Sequence, residues 1–356
     1  MATWKKENLT RENGEMVPMQ VPIIVSASRS TDIPAFYADW FFYRLKVGYS
    51  AWTNPFNGVK GYVSYKDTRF IVFWSKNPRP MLPHLDYLKE RNIGCYIQYT
   101  LNDYEKEGLE RGVRPLAERI ETFKLLVDKL GVERMIWRFD PMILTDDISV
   151  DNLLDKVENI GNQLKGYTDK LVFSYADIIG YRKVKANLEK SNIPYHEWTE
   201  DQMNEFACKL SNMNRELGWN FQLATCGEKI DIKKYGILHN RCIDGDLIAR
   251  LAWKDKKLMN FMNVTIEDIP APSLFGEAEL PENAILLPHN HYFLSTHKKD
   301  AGQRLFCECM ASKDIGEYNT CPHLCEYCYA NTTKQIAIDN RKRHLQNKES
   351  ETITGK

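Results

Sequence analysis

Three cysteines near the end of the chain, Cys321, Cys325 and Cys328, stand in a C-x3-C-x2-C pattern with Tyr327 immediately before the last thiol. Three thiolates on one tight loop suit three corners of a [4Fe-4S] cube and leave the fourth iron open to an outside ligand. Structural zinc is the alternative, but it wants four ligands in a closed tetrahedron, usually as two separated pairs. Cys307 and Cys309, a C-x-C pair just upstream, are the next candidate metal ligands; they would complete a four-thiolate centre or stabilise the loop. Cys226 and Cys242 could join them in an auxiliary cluster, the competing account for each of these four being a thiol that packs as a small hydrophobe. His289, His291 and His323 are possible further ligands, though a lone histidine more often makes an ordinary hydrogen bond.

A second set of reactive side chains follows short apolar runs. The runs cover residues 23–28, 70–74, 95–100, 134–139, 171–175 and 220–225, each rich in β-branched or aromatic residues and too short for a helix. Such runs are the mark of strands buried on both faces of a parallel sheet. In parallel α/β folds the chemistry gathers at the C-terminal strand ends. The residues there are Arg29 and Asp32, Lys76 and Asn77, and Arg138 and Asp140, which would line a catalytic pocket. Gln98, Thr100, Ser174 and Glu228 stand at equivalent places and would contact a bound cofactor. Arg138 and Asp140 alternate with Trp137 and Phe139, so the cation and the anion should share one side of their strand. The plain account of Asp32 is that it caps a helix.

Between the runs lie amphipathic segments. Leu116, Ile120, Phe123, Val127 and Leu130 form one helical stripe that ends at Gly131. Thr199 with Gln202 is a capping box ahead of a helix that stops at Gly218, and a third helix is expected between Ser149 and Gly166. Strand then helix, six times over, predicts an α/β fold: a (β/α)6 partial TIM-type barrel over residues 21–250. Residues 1–20 read as an N-terminal extension and 251–300 as an irregular, proline-punctuated connection with one short strand near 284–287. Residues 301–339 form the cysteine-rich segment packed on the barrel, and 340–356 a polar tail expected to fray.

The 356 residues carry 48 Lys+Arg against 48 Asp+Glu, with 43% hydrophobic and 27% charged residues, which excludes disorder and a protein that coats nucleic acid by bulk charge. Any anion-binding charge must therefore be local. No stretch is apolar enough to span a bilayer, and residues 1–20 lack the apolar core of a signal peptide. A cytoplasmic, reducing setting is the expectation, in which clustered cysteines bind metal or react.

The cysteine loop resembles the C-x3-C-x-aromatic-C signature of the radical S-adenosylmethionine (SAM) superfamily over all eight of its residues. By that resemblance Cys321, Cys325 and Cys328 would ligate the cluster, Tyr327 would lie near the adenine, and the open iron would bind SAM. Reductive cleavage of SAM would then give methionine and a 5'-deoxyadenosyl radical, with a flavodoxin or ferredoxin as reductant. The segment Tyr327-Cys328-Tyr329-Ala330 is also similar to the branch related to spore photoproduct lyase, a DNA repair enzyme. A wider resemblance joins Ser26-Ala27-Ser28-Arg29-Ser30-Thr31-Asp32-Ile33-Pro34-Ala35-Phe36-Tyr37, Asn54-Pro55-Phe56-Asn57 and Phe73-Trp74-Ser75-Lys76-Asn77-Pro78. Trp137-Arg138-Phe139-Asp140-Pro141, Lys313-Asp314-Ile315-Gly316 and Tyr327-Cys328-Tyr329-Ala330-Asn331 complete it, and together these strings resemble the bacterial family catalogued as domain of unknown function 1848.

The pattern departs from the superfamily in two ways. The cysteine loop follows the six units instead of the first strand, which a circular permutation would reconcile if a strand at 284–287, or one just before Cys321, preceded the loop. The Gly-Gly-Glu that receives the SAM amino group is replaced by the distant likeness Thr225-Cys226-Gly227-Glu228. The leading expectation is a radical SAM-type iron–sulfur enzyme acting on an anionic or nucleotide-like small molecule. Its competitors are a binding module with a closed Fe–S or zinc centre, a nucleic-acid repair or modification protein, and a barrel hydrolase or transferase whose cysteine loop is structural.

Overall fold

In a computed structural model the chain is described over residues 4–54, 57–270, 280–295 and 298–356. Eight parallel strands form its main sheet: β1 (Ile24–Ala27), β2 (Phe70–Ser75), β3 (Gly94–Thr100), β4 (Met135–Met142), β5 (Lys170–Tyr175), β6 (Gln222–Thr225), β7 (Leu238–His239) and β8 (Lys313–Asp314). Each strand from β1 to β6 pairs with its successor in sequence, and β8 lies on the free side of β1. The six apolar runs are β1 to β6; β7 and β8 are two residues each, too short to leave a pattern.

Both faces of the sheet are covered, which is why the runs do not alternate. One face carries Val25, Phe73, Ile97, Trp137, Phe139 and Phe173 against α1 (Ala38–Val47), α2 (Leu85–Glu90), α3 (Leu116–Leu130), α4 (Val150–Leu164), α5 (Arg182–Lys190) and α6 (Glu200–Glu216). The other carries Ile24, Val72, Tyr96, Ile136 and Val172 against α7 (Gly245–Ala252) and α8 (Lys256–Met262). The expected helices form where their signals lie. Thr199 accepts from the Gln202 amide at 3.2 Å while Gln202 accepts from the Thr199 amide at 3.0 Å. Gly131 ends α3 at φ +94°, a backbone conformation that side chains rarely adopt.

Three expectations need correction. From residue 4 the N-terminal extension is part of a sheet: Lys6–Thr10 and Met16–Gln20 pair with each other and join Lys60–Ser64 and Tyr49–Thr53 in a four-stranded sheet. The strand Ala284–Leu287 exists but pairs antiparallel with His291–Leu294, outside the main sheet; the position beside β1 belongs to β8. The tail beyond 340 does not fray. Helix α9 (Lys334–Gln346) leads to a segment in which Thr352 and Ile353 are buried, the Arg11 guanidinium meets Glu351 at 2.8 Å, and the Trp40 indole donates to the Ser350 carbonyl at 2.8 Å. Its polar residues are consumed by partners that lie far away in sequence.

Candidate functional site

The cysteine loop directly follows β8 and rests on the C-terminal ends of β1 to β3. Asp32, just past β1, caps the single helical turn Ile33–Phe36 by accepting from the Ala35 amide at 2.9 Å. It also accepts from Ser75 Oγ and from the Lys76 amide, each at 2.7 Å, and lies 2.7 Å from Nε2 of His323, inside the C-x3-C segment. The buried Asp32 therefore positions the loop, and His323 is an anchor instead of a ligand. Asn77 is half-buried and contributes a backbone N–H to Ser75 Oγ.

Tyr327 is fixed from three sides. Its hydroxyl donates to Glu110 and accepts from Lys76 Nζ at 3.0 Å and from Asn102 Nδ2 at 3.1 Å. Lys76 Nζ pairs with Glu110 at 2.7 Å, and Asn102 donates to the same carboxylate at 3.0 Å. Burial works against the charge on Glu110, but Lys76, Arg119 and these donors outweigh it and hold the carboxyl at about 2. Glu110 bridges to Cys325 in the backbone, and the Gly112 amide donates to the His323 carbonyl at 2.8 Å. Asn331 Nδ2 holds the Cys321 carbonyl at 2.7 Å, Asn187 Nδ2 on α5 holds that of Cys328 at 3.0 Å, and the buried Glu326 takes Ser191 and Lys334, each at 2.5 Å. Cys325 is buried and the other two thiols half-buried. Burial raises the Cys325 thiol well above its ordinary value in spite of Lys76 beside it and pushes Cys321 up to about 12, so both are neutral thiols at neutral pH.

Across the sheet lies a second polar group. The buried Arg138 donates to Gln98 Oε1 and to Cys242 Sγ, both at 3.2 Å, and pairs with Asp140, which in turn accepts from Ser174. Arg138 and Asp140 share one side of β4 as their spacing predicts. Thr100, half-buried, lies opposite Arg138 in the β3–β4 register, while Gln98 turns its amide nitrogen to the Cys242 carbonyl at 2.9 Å. Two guanidiniums lie over the Trp74 ring, Arg138 at 5.2 Å and Arg29 at 5.6 Å from its centroid. Arg29 Nη1 donates to Gln303 at 3.1 Å, while its Nε and Nη2 are buried without a partner. Glu228, just past β6, accepts from the Tyr175 amide at 3.0 Å, and burial pushes its carboxyl up to about 7.

Cys307 and Cys309 pack beside a second pair of thiols. They lie with Cys226 and Cys242, where the Cys226 and Cys242 sulfurs are 3.4 Å apart and Cys309 interacts with both Cys242 and Cys307. Among the described residues no three His, Cys, Asp or Glu side chains already stand as a ready-made metal site. Sequence reasoning missed Glu110, which lies in a turn without a motif, and Asp314, whose carboxylate takes Ser26 at 3.0 Å, Ser28 at 2.9 Å and the Arg29 amide at 2.8 Å. Pro55 and Phe56 of the Asn54–Asn57 turn lie outside the described residues. No helix among the described residues is long and apolar enough to cross a membrane.

No curated protein and no solved structure matches the chain. A family model described as a domain of unknown function, DUF1848, matches residues 24–330, most of the chain, and the protein belongs to that family.

Proposed function

We propose that this DUF1848 protein is a radical SAM-type iron–sulfur enzyme, with Cys321, Cys325 and Cys328 holding a [4Fe-4S] cluster at the open end of a partial (β/α) barrel. The observation that carries the reading is the place of the loop: it follows a strand paired parallel beside β1 and is tied by His323 and Tyr327 to the ends of β1 to β3. That is the arrangement expected of a permuted radical SAM barrel, in which β8 takes the place of the first strand. The strand order, with β1 to β7 each beside its sequence neighbour, supports it. The donor set also fits such a cluster: three free thiols on one anchored loop. When bound, the cluster would supply the electron for reductive cleavage of SAM.

The chain's own residues do the rest. Lys76 keeps a positive charge beside Cys325 and offsets thiolate charge, while Glu110 and Asn102 hold Tyr327 in one orientation. In this reading Gln98, Thr100, Ser174 and Glu228 are the polar groups that would contact SAM. Arg29 and Arg138, both within cation–π distance of Trp74, favour an anionic or planar substrate such as a nucleotide-like molecule. Glu228, near 7, is the carboxyl suited to exchange a proton at neutral pH. A small electron-transfer protein such as flavodoxin or ferredoxin would be the reductant.

The test is anaerobic reconstitution with iron and sulfide, then incubation with dithionite and SAM. Brown protein that forms 5'-deoxyadenosine, and loses both properties on Cys321→Ala, Cys325→Ala or Cys328→Ala, supports the reading. Colourless protein, or an iron-loaded protein that leaves SAM intact, overturns it.

A further inference from the structure

Four thiols lie together on the face of the sheet covered by α7 and α8, and the proposed reaction uses none of them. Cys226 follows β6, Cys242 stands three residues past β7, and Cys307 and Cys309 belong to the segment leading into β8. The Cys226 and Cys242 sulfurs are 3.4 Å apart, Cys309 lies against the backbone of Ile243 next to Cys242, Cys307 packs in the same cluster, and all four are free thiols. The surroundings point N–H groups at sulfur. Arg138 Nη1 and Asn240 Nδ2 each reach Cys242 Sγ at 3.2 Å, and the Ile243 amide reaches Cys309 Sγ at 3.4 Å. Arg29 acts electrostatically on Cys309, Cys242 and Cys307, and two of its buried nitrogens have no partner.

We propose that Cys226, Cys242, Cys307 and Cys309 bind a single tetrahedral ion of the zinc class, a centre separate from the Cys321, Cys325 and Cys328 loop. The one close sulfur pair has the spacing of two ligands on a single metal. A tetrahedron with metal–sulfur bonds of about 2.3 Å has sulfur–sulfur edges of about 3.8 Å, close to the contact seen between Cys226 and Cys242. In a [4Fe-4S] cube each thiolate binds a different iron, so its sulfurs stand much further apart. Charge agrees. Four thiolates around a divalent ion leave two negative charges, which Arg29 and Arg138 face; the four thiol protons leave to solvent on binding, with no change of oxidation state. Completing the tetrahedron takes side-chain rotation, for which the half-buried Cys226 and Cys307 have room.

The position gives the ion a task. β7 and β8 are the two edges of the main sheet, and the Met310 amide already bonds across to the Ile243 carbonyl at 3.1 Å. Ligands from both sides would staple that seam and fix the two ends of the excursion made by residues 244–306.

The experiment removes the loop thiols first, so that it does not depend on the proposed reaction. The full chain carrying Cys321→Ala, Cys325→Ala and Cys328→Ala is purified under reducing conditions, and zinc is counted. The expected result is one zinc per chain, retained on adding Cys208→Ser and reduced at least about tenfold on adding Cys226→Ser or Cys242→Ser. Cobalt exchanged into the triple variant should give thiolate charge-transfer bands and a tetrahedral spectrum, a readout independent of whether the serine variants fold. A triple variant without zinc, zinc indifferent to Cys226→Ser, or iron and sulfide held at these four cysteines overturns the proposal.

Discussion

Cys321, Cys325 and Cys328 come from one eight-residue loop that is tied down mainly by the residues between and beside them: His323 to Asp32, Tyr327 to Glu110, Glu326 to Ser191 and Lys334. Cys226, Cys242, Cys307 and Cys309 come from three separate segments, and there the thiols themselves are the meeting points. The first group sits in a frame built from hydrogen bonds and an ion pair. The second helps to build the frame. A lost thiol should therefore cost the loop its chemistry and the seam its stability.

Substituting one cysteine in each group is the largest test of that contrast. Cys325→Ala should abolish SAM cleavage while leaving the thermal midpoint nearly unchanged. Cys242→Ser should lower unfolding stability by about 3 kcal/mol or more in the metal-loaded protein, read by urea denaturation. Equal thermal shifts in the two variants would erase the distinction.

Next is the ion pair that holds the loop's frame. Lys76→Met leaves Glu110 buried without its cation and should cost about 3–5 kcal/mol near neutral pH. The sign follows from the depressed carboxyl. In the wild type, Glu110 at about 2 contributes stability that is fully present above the unfolded value of about 4.3 and is lost as pH falls through about 2. In Lys76→Met the carboxyl rises, so the deficit should shrink on acidification; urea titrations at several pH values read it.

Glu228 has the opposite sign and a smaller effect. Its carboxyl is raised to about 7, so the native state holds a proton that the unfolded chain releases, and stability falls as pH rises from about 4.3 to 7. Glu228→Gln should flatten that slope by about 2 kcal/mol, with allowance for its partial exposure. A slope unchanged by the substitution would remove Glu228 as the proton-exchanging group. The smallest effect belongs to Arg111, which lies 3.4 Å from the buried Glu326 but is itself exposed. With Ser191 and Lys334 still in place, Arg111→Ala should change stability by less than about 0.5 kcal/mol.

The sequence made the scaffold readable where one physical signal dominates over several residues. Strands β1 to β6 are apolar runs buried on both faces, and Thr199 with Gln202 is a local exchange of two hydrogen bonds. Asp32 and Lys76 were legible as strand-end polar groups, but their tasks were not. The cap on Ile33–Phe36 is local, whereas the contact with His323 spans 291 positions of sequence. Glu110 carries no motif, and β8 is only two residues long, its place fixed by pairing with β1. The gathering of Cys226 and Cys242 with Cys307 and Cys309 depends on the return of the chain after a long excursion, which no local spacing encodes. The charged strand Lys6–Thr10 and the tail beyond 340 look solvated although the strand pairs with Met16–Gln20 and Glu351 of the tail pairs with Arg11.

The Gly112 contact adds a geometric handle on the cysteine loop. A Cβ at Gly112 would stand 2.6 Å from the His323 carbonyl oxygen and 2.7 Å from that of Pro322, both backbone atoms inside the C-x3-C segment. Gly112→Ala is thus a shim: it alters no thiol, charge or hydrogen-bond donor, yet must lift the loop backbone or push back the turn that carries Glu110. One methyl group at this point varies the height of the three sulfurs over the strand ends with the ligand set intact, separating where a centre sits from whether it forms.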